Sequence, residues 1–332
     1  MAKEPLKNAS ISTAQVKAQA EQIANLFSQL SDEVFSNFLN KLTKNIDTVT
    51  QKNVMQWQME KLSEFGALND ENKATIDKYI KAAAPQLTKL IVDNGQKIYN
   101  DTLKNLPDDK NATSNVKTRL TALVQQTMGQ ITNLTNQTML NTQLASGTMS
   151  KTAFGQYQEA INKAAADIVT GNKTSQQAIE GAVSAWINTG TVGYMTDSAG
   201  KKWTLDNYAR TNLTTTTFRT YNQMRTQPAA DNGIHLFYMS EHDAPREACE
   251  DIQGGIVYDP RTGDMTDEEA EVGAPDLSDY GLGDPGGTFG INCHHYLTPY
   301  VVGVNVDPSA EEDAEDEESE LNSDDDDYGS DD

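Results

Sequence analysis

Apolar residues recur at helical spacing through the first 145 residues. Val16, Ala20, Ile23, Phe27 and Leu30 fall three or four apart, and Phe35, Phe38, Leu39, Leu42, Ile46 and Val49 continue the stripe, with Ser31 between the two runs as a candidate N-cap. The pattern resumes through Val54, Trp57, Leu62 and Phe65, breaks at Gly66, and restarts after Asn69 and Asp70 with Ile76, Ile80, Ala83, Leu87, Leu90 and Ile91. Pro85 predicts a bend or a fresh start inside that run, because it has no N–H for the helical ladder. Past the polar, proline-containing segment 106–113, a further helix follows through Val116, Leu120, Leu123, Val124, Ile131 and Leu134, backed by Gln, Asn and Thr. Narrow apolar stripes with polar backs predict helical hairpins or a partner-docking bundle.

After the turn signal at Ser146 and Gly147, two shorter helices are predicted, one through Phe154, Tyr157, Ile161, Ala164 and Ile168, the other starting at Ser175 and running through Trp186. Tyr194 to Trp203 reads as a hairpin around Asp197, Ser198, Ala199 and Gly200, and a helix from about Leu205 to Arg225 follows. Beyond Pro228 the character changes. Strands are predicted at Ile234 to Met239 and at Ile256 to Tyr258, while 260–290 is rich in Gly, Asp and Pro and lacks apolar periodicity. A loop that long inside a folded domain needs an anchor. The fold class is therefore α+β: a long-helix region over 1–145, a small mixed α/β domain with a long Gly-rich loop over 146–306, and a disordered acidic tail over 307–332.

Charge changes the picture mainly at that tail. Of its 26 residues 15 are Asp or Glu and none is Lys or Arg, so leaving it out takes the formal net charge from −23 to −8. A block of like charge without apolar anchors predicts disorder and a solvating role. Net acidity argues against broad, unassisted contact with nucleic acid, whose phosphates would be repelled. No run approaches the roughly 18 apolar residues that span a bilayer, and the start, MAKEPLKNAS, has no apolar signal core, so no membrane association is expected. Two cysteines in 332 residues make no disulfide framework.

Those two cysteines and all four histidines fall between His235 and His295. One cluster reads S-E-H-D-A-P-R-E-A-C-E-D-I-Q-G-G from Ser240, the other G-I-N-C-H-H-Y-L-T-P-Y-V-V-G from Gly290. Four N or S donors from two short clusters are what a tetrahedral structural zinc requires, and His242, Cys249, Cys293 and His295 supply that number. Such a staple would anchor the Gly-rich loop, since the free energy of metal binding becomes folding free energy. The other readings of the same residues are buried cysteines with polar histidines at strand ends, a cysteine nucleophile activated by His242 or His295, and a zinc hydrolase with Glu241 or Glu250 as base. Arg246 is expected to pin nearby loop carboxylates through a bidentate pair. There is no GxxxxGK[ST] phosphate loop and no HExxH, which excludes the commonest nucleotide and zinc-protease signatures.

The combination Ser240-x-His242-x-x-x-Arg246-x-x-Cys249-x-x-x-Gln253-Gly254, a Gly-rich loop, Gly290-x-Asn292-Cys293-x-His295, and Pro299-Tyr300-x-x-Gly303 resembles the phage minor capsid protein 2 family, a distant relative of the phage head morphogenesis domain. The similarity is clear over about 190–303 and extends to the helical first part in type only. His294 stands where the family often carries Arg, leaving two adjacent imidazoles of which the motif selects His295. The resemblance implies that Arg246, Gln253, Gly254 and Asn292 are structural motif positions. It implies a structural minor head protein of a tailed phage or prophage, without turnover, in the virion at the capsid interior or portal vertex and in host cytoplasm during assembly. Its partners would be the portal protein and major capsid or scaffold proteins, with indirect contact to packaged DNA and self-association as a further option. The competing implication is a zinc-dependent enzyme or toxin-like effector delivered by the phage.

Overall fold

The computed structural model describes residues 11–106, 115–140, 150–188, 194–196 and 200–306. The expected boundary near residue 145, the turn at Ser146 and Gly147, most of the proline-containing segment before Val116 and the acidic tail lie outside them.

In chain order the elements are α1 (Thr13–Thr43), α2 (Val54–Ser63), α3 (Phe65–Thr88), a wide π turn (Lys89–Asp93), α4 (Asn94–Asn105), α5 (Val116–Met139), β1 (Ser150–Lys151), α6 (Ala153–Val169) and α7 (Ser175–Ile187). They continue with β2 (Tyr194–Thr196), β3 (Lys202–Thr204), α8 (Leu205–Ala230), β4 (Leu236–Met239), α9 (Glu247–Glu250), β5 (Ile256–Tyr258), α10 (Asp267–Ala270) and β6 (Leu297–Pro299). Helix dominates and the strands are short, so the α+β class holds. The described residues form two compact units that interleave along the sequence, one drawn from 18–89 and 122–213, the other from 11–17, 90–121 and 214–306.

In the first unit α1 supplies a long apolar spine. Ala20, Ile23, Phe27, Leu30, Val34, Phe38 and Leu42 are all buried, spaced by three or four. The helix does not restart at Ser31. Val34 keeps the stripe in phase, and the Ser31 hydroxyl donates to the Phe27 carbonyl one turn back at 3.1 Å, which satisfies it without a cap. Phe38 sits among aromatic rings, 5.0 Å from Phe154 at 89° and 5.1 Å from Tyr157, both on α6, and 5.7 Å from Trp186 on α7. Thr174 and Gln177 form a reciprocal capping box that starts α7 at Ser175. The two predicted hairpin strands pair, with Met195 opposite Trp203, while the expected turn residues Asp197, Ser198 and Ala199 lie outside the described residues; a strand not expected from the sequence, β1, adds to them as a three-stranded antiparallel sheet.

The helix break expected at Gly66 falls at Glu64, and α3 starts at Phe65 rather than after Asp70. Pro85 does not end α3. The π turn lies just beyond it, where Leu90, Ile91 and Val92 are buried, and burial of those side chains outweighs the hydrogen bond that proline cannot make.

The second unit is built on a sheet of order β5-β4-β6, antiparallel throughout. Strand β4 is central, with Phe237 opposite Val257 and Pro299. Alternation along it sends Phe237 and Met239 into a core with Val257, Leu297, Cys249 and Cys293, and Leu236 and Tyr238 into a second cluster with Ile256 and Tyr300. Both faces are covered, which is why β4 reads as a continuous apolar run. Helix α8 runs past the expected Arg225 to Ala230 and through Pro228, because Met224 and Ala229 are buried and continue its packing stripe.

The long loop after β5 is anchored by its own side chains. Asp259, fully buried, receives two hydrogen bonds from the Arg261 guanidinium at 2.8 and 2.7 Å. Glu269 closes a capping box with Thr266 and accepts from the His235 backbone N–H at 2.8 Å. His235 is thus a loop anchor, its ring 3.2 Å from the Thr262 hydroxyl. Among the described residues no helix is long and apolar enough to cross a membrane.

Candidate functional site

Both predicted clusters meet at one end of the β4 sheet. Ser240, just past β4, donates its backbone N–H to the Tyr296 carbonyl at 2.9 Å, and its hydroxyl accepts the Tyr296 N–H at 2.9 Å. This reciprocal clasp ties the start of the first cluster to Tyr296 of the second, the residue just before strand β6. Helix α8 adds a further tie. The buried Asn222 donates to the His295 carbonyl at 2.9 Å and accepts from the Leu297 N–H at 3.0 Å. Arg225, one helical step on, lies 5.0 Å from the Tyr296 ring centre. Burial lowers its pKa to about 10, so it remains a cation at neutral pH.

Of the four predicted zinc ligands the structure brings three together. Cys249 Sγ, Cys293 Sγ and a ring nitrogen of His295 lie within 4.8 Å of one another, and all three residues are buried. Cys249 is on α9; Cys293 follows a tight turn in which Asn292 has φ 59°, with the Asn292 N–H 3.3 Å from the Thr215 hydroxyl of α8. His295 Nδ1 is 3.4 Å from Cys293 Sγ, and its Nε2 donates to Gln253 Oε1 at 2.9 Å. His242 does not join the three. Its ring stacks on His295 with centres 4.0 Å apart and planes at 27°, and its Nδ1 is 2.9 Å from the Asp243 carbonyl. The same Gln253 oxygen accepts the His242 backbone N–H at 3.3 Å. His294 packs instead against Phe218, and burial, with Lys17 nearby, lowers its pKa to about 4.

The hydrogen bond from Cys249 draws the Cys293 thiol well below its ordinary range, and the neighbouring His295 acts in the same direction. That bond, reinforced by burial, pushes Cys249 upward. Cys293 and His295, but not Cys249, line a cavity of about 560 Å3 whose wall also includes His242, Arg246, Asn292 and His294.

The remaining motif positions hold the loop. Arg246 makes no bidentate pair with loop carboxylates. Its guanidinium donates to the carbonyls of Pro285, Gly287 and Ile291, because the Gly-rich turns gather backbone oxygens at a point no carboxylate reaches. Arg219 on α8 does likewise, at 2.9 Å from the Phe289 carbonyl and 3.2 Å from that of Gly283. Gly254 donates to the Met239 carbonyl at 2.8 Å, closing the turn between β4 and β5. The Thr288 hydroxyl donates to the Ala248 carbonyl at 3.1 Å. Nothing in the sequence marks Thr288, Arg219 or Asn222, because these contacts join residues 40 or more positions apart.

Gly287 and Gly290 mark the closest backbone approaches in the loop, and Gly290 is the one that precedes the second cluster's cysteine. A Cβ there would lie 2.2 Å from the Asp284 carbonyl oxygen and 2.7 Å from that of Pro285. Gly290→Ala should therefore destabilise this unit by at least about 1–3 kcal/mol. The check is a urea transition together with limited proteolysis across 281–291; an unchanged midpoint and cleavage rate would contradict the close approach.

Comparison with known proteins agrees in kind. Residues 11–328 match the family model described as Phage minor capsid protein 2. A relative named "Structural protein" from Lactococcus phage LL-H is 34% identical over 295 residues, covering 85% of this chain and 76% of the relative. A "Structural protein" from Lactococcus phage mv4 is 59% identical over 32 residues, which is 10% of this chain and 26% of that relative. No solved structure matches the chain.

Proposed function

Because the chain belongs to the phage minor capsid protein 2 family, and is thus a structural phage protein of the virion, we propose that it is a low-copy inner-head component that docks on the portal protein. In this role it acts in head morphogenesis and the passage of DNA, through binding alone. The observation that carries the reading is the reach of the family match, which takes in both compact units and both Cys/His clusters. A formal charge of −23 supports protein partners over direct DNA contact. Helix α2 offers a docking face: Val54 and Trp57 are buried, whereas Met55 and Met59, one turn apart, are 59% and 70% exposed. Methionine adapts its shape to a partner surface, and apolar residues left in water at that spacing suit a helix contact.

The test is quantitative mass spectrometry and chemical cross-linking of purified particles. The protein should be present at far fewer copies than the major capsid protein and should cross-link to the portal protein. A Met55→Glu, Met59→Glu double variant should enter fewer particles while keeping its helical circular dichroism. Absence from particles, or a copy number matching the major capsid protein, would refute the reading. One observation favours a second reading, an enzyme delivered with the genome: the buried Cys293 and His295 are also among the residues that line a cavity.

A further inference from the structure

We infer that Cys249, Cys293 and His295 bind a zinc ion whose fourth coordination position opens onto the adjoining cavity. The inference does not depend on where in the head the chain sits. Three observations carry it: the distances, the tautomers and the way the ligands are held.

Bond lengths of about 2.3 Å for Zn–S and about 2.0 Å for Zn–N at a tetrahedral angle place sulfur and nitrogen about 3.5 Å apart. Cys293 Sγ and His295 Nδ1 are 3.4 Å apart, and Cys249 Sγ completes a triangle with no side above 4.8 Å. Two thiolates and an imidazole form a donor set that favours zinc over the oxygen-seeking cations.

The ring proton of His295 is placed by Gln253. An amide oxygen only accepts, so the 2.9 Å contact puts the proton on Nε2 and leaves the Nδ1 lone pair facing the two sulfurs. Metal-bound histidines are commonly oriented by such a bond from the nitrogen that does not ligate. His242 has the opposite arrangement, its Nδ1 bonded to the Asp243 carbonyl. It lies outside the three-atom group and stacks on the His295 ring at the cavity wall, so it borders the open position.

Each ligand is held independently of any metal. The Cys249 carbonyl accepts from Gln253 N–H at 2.9 Å, Cys293 N–H is 3.3 Å from the Gly290 carbonyl, and Asn222 holds the His295 backbone. A site with its donors already in place loses little ordering entropy on binding. Three protein ligands of this type with a position left for water is a known arrangement of zinc, distinct from the closed four-ligand structural site expected from the sequence.

The test uses the full chain, reduced and stripped of metal, titrated with Co2+ and then Zn2+. Expected are about one ion per chain, thiolate-to-cobalt charge-transfer absorption of two-sulfur intensity, and tetrahedral visible bands that zinc abolishes. Less than about 0.1 zinc per chain would overturn the site. His242→Ala should keep the stoichiometry and the charge-transfer intensity, and thiocyanate should shift the visible bands in both proteins. Loss of metal from His242→Ala, or bands indifferent to thiocyanate, would overturn the open position. Cys293→Ser is read beside circular dichroism; a folded Cys293→Ser protein that retains two-sulfur absorption would exclude Cys293 as a ligand.

Discussion

Replacing Phe38 by alanine should cost the α1–α6–α7 core about 3–5 kcal/mol, the range for removing a fully buried phenylalanine. The ring is completely buried and meets Phe154 edge-on at 5.0 Å, so truncation removes both apolar burial and an aromatic contact. Its neighbours Tyr157 and Trp186 are themselves buried side chains on two different helices, which limits how far the cavity can collapse. Phe38→Leu should cost well under half as much, because most of the volume is kept. Urea unfolding followed by far-ultraviolet circular dichroism checks both. A loss below about 1 kcal/mol for Phe38→Ala would mean that the ring is not packed as described.

Asn222→Ala should be nearly as damaging, at about 2–5 kcal/mol. The substitution removes one donor and one acceptor, leaving the His295 carbonyl and the Leu297 N–H without their α8 partner. Each buried backbone group left unsatisfied costs about 1–3 kcal/mol. The effect should also reach the cysteines, since His295 and strand β6 are positioned through this side chain. Reaction of Cys249 and Cys293, both buried, with a thiol reagent should accelerate in Asn222→Ala relative to the parent chain. Equal reaction rates together with an unchanged unfolding midpoint would refute the clasp.

The α5, α6 and α7 helices, the hairpin and strands β4 and β5 were readable from periodicity because each pattern is local. The π turn after Pro85 was not, since the choice between ending a helix and widening it is made by the buried Leu90, Ile91 and Val92. Strand β6 is illegible in the sequence for a related reason. Leu297 to Pro299 is too short to show alternation, and only pairing with β4 makes it a strand. For Arg246 the sequence indicates a pin but not its partners, because carboxylates are visible in a sequence while a convergence of loop carbonyls is not.

The amino-acid sequence by itself determined the helix-rich α+β class, the concentration of sulfur and imidazole donors in two clusters, and the family to which they belong. Those properties reside in residue type and short-range spacing. Only the tertiary structure decided that Cys249, Cys293 and His295 converge while His242 stacks beside them. It also decided that Gln253 orients the His295 ring and that Asn222 and Arg219 of α8 hold the strand and loop around it. The physical reason is that a ligand set is defined by distances across long loops, and those distances are set by the packing of β4, β6 and α8.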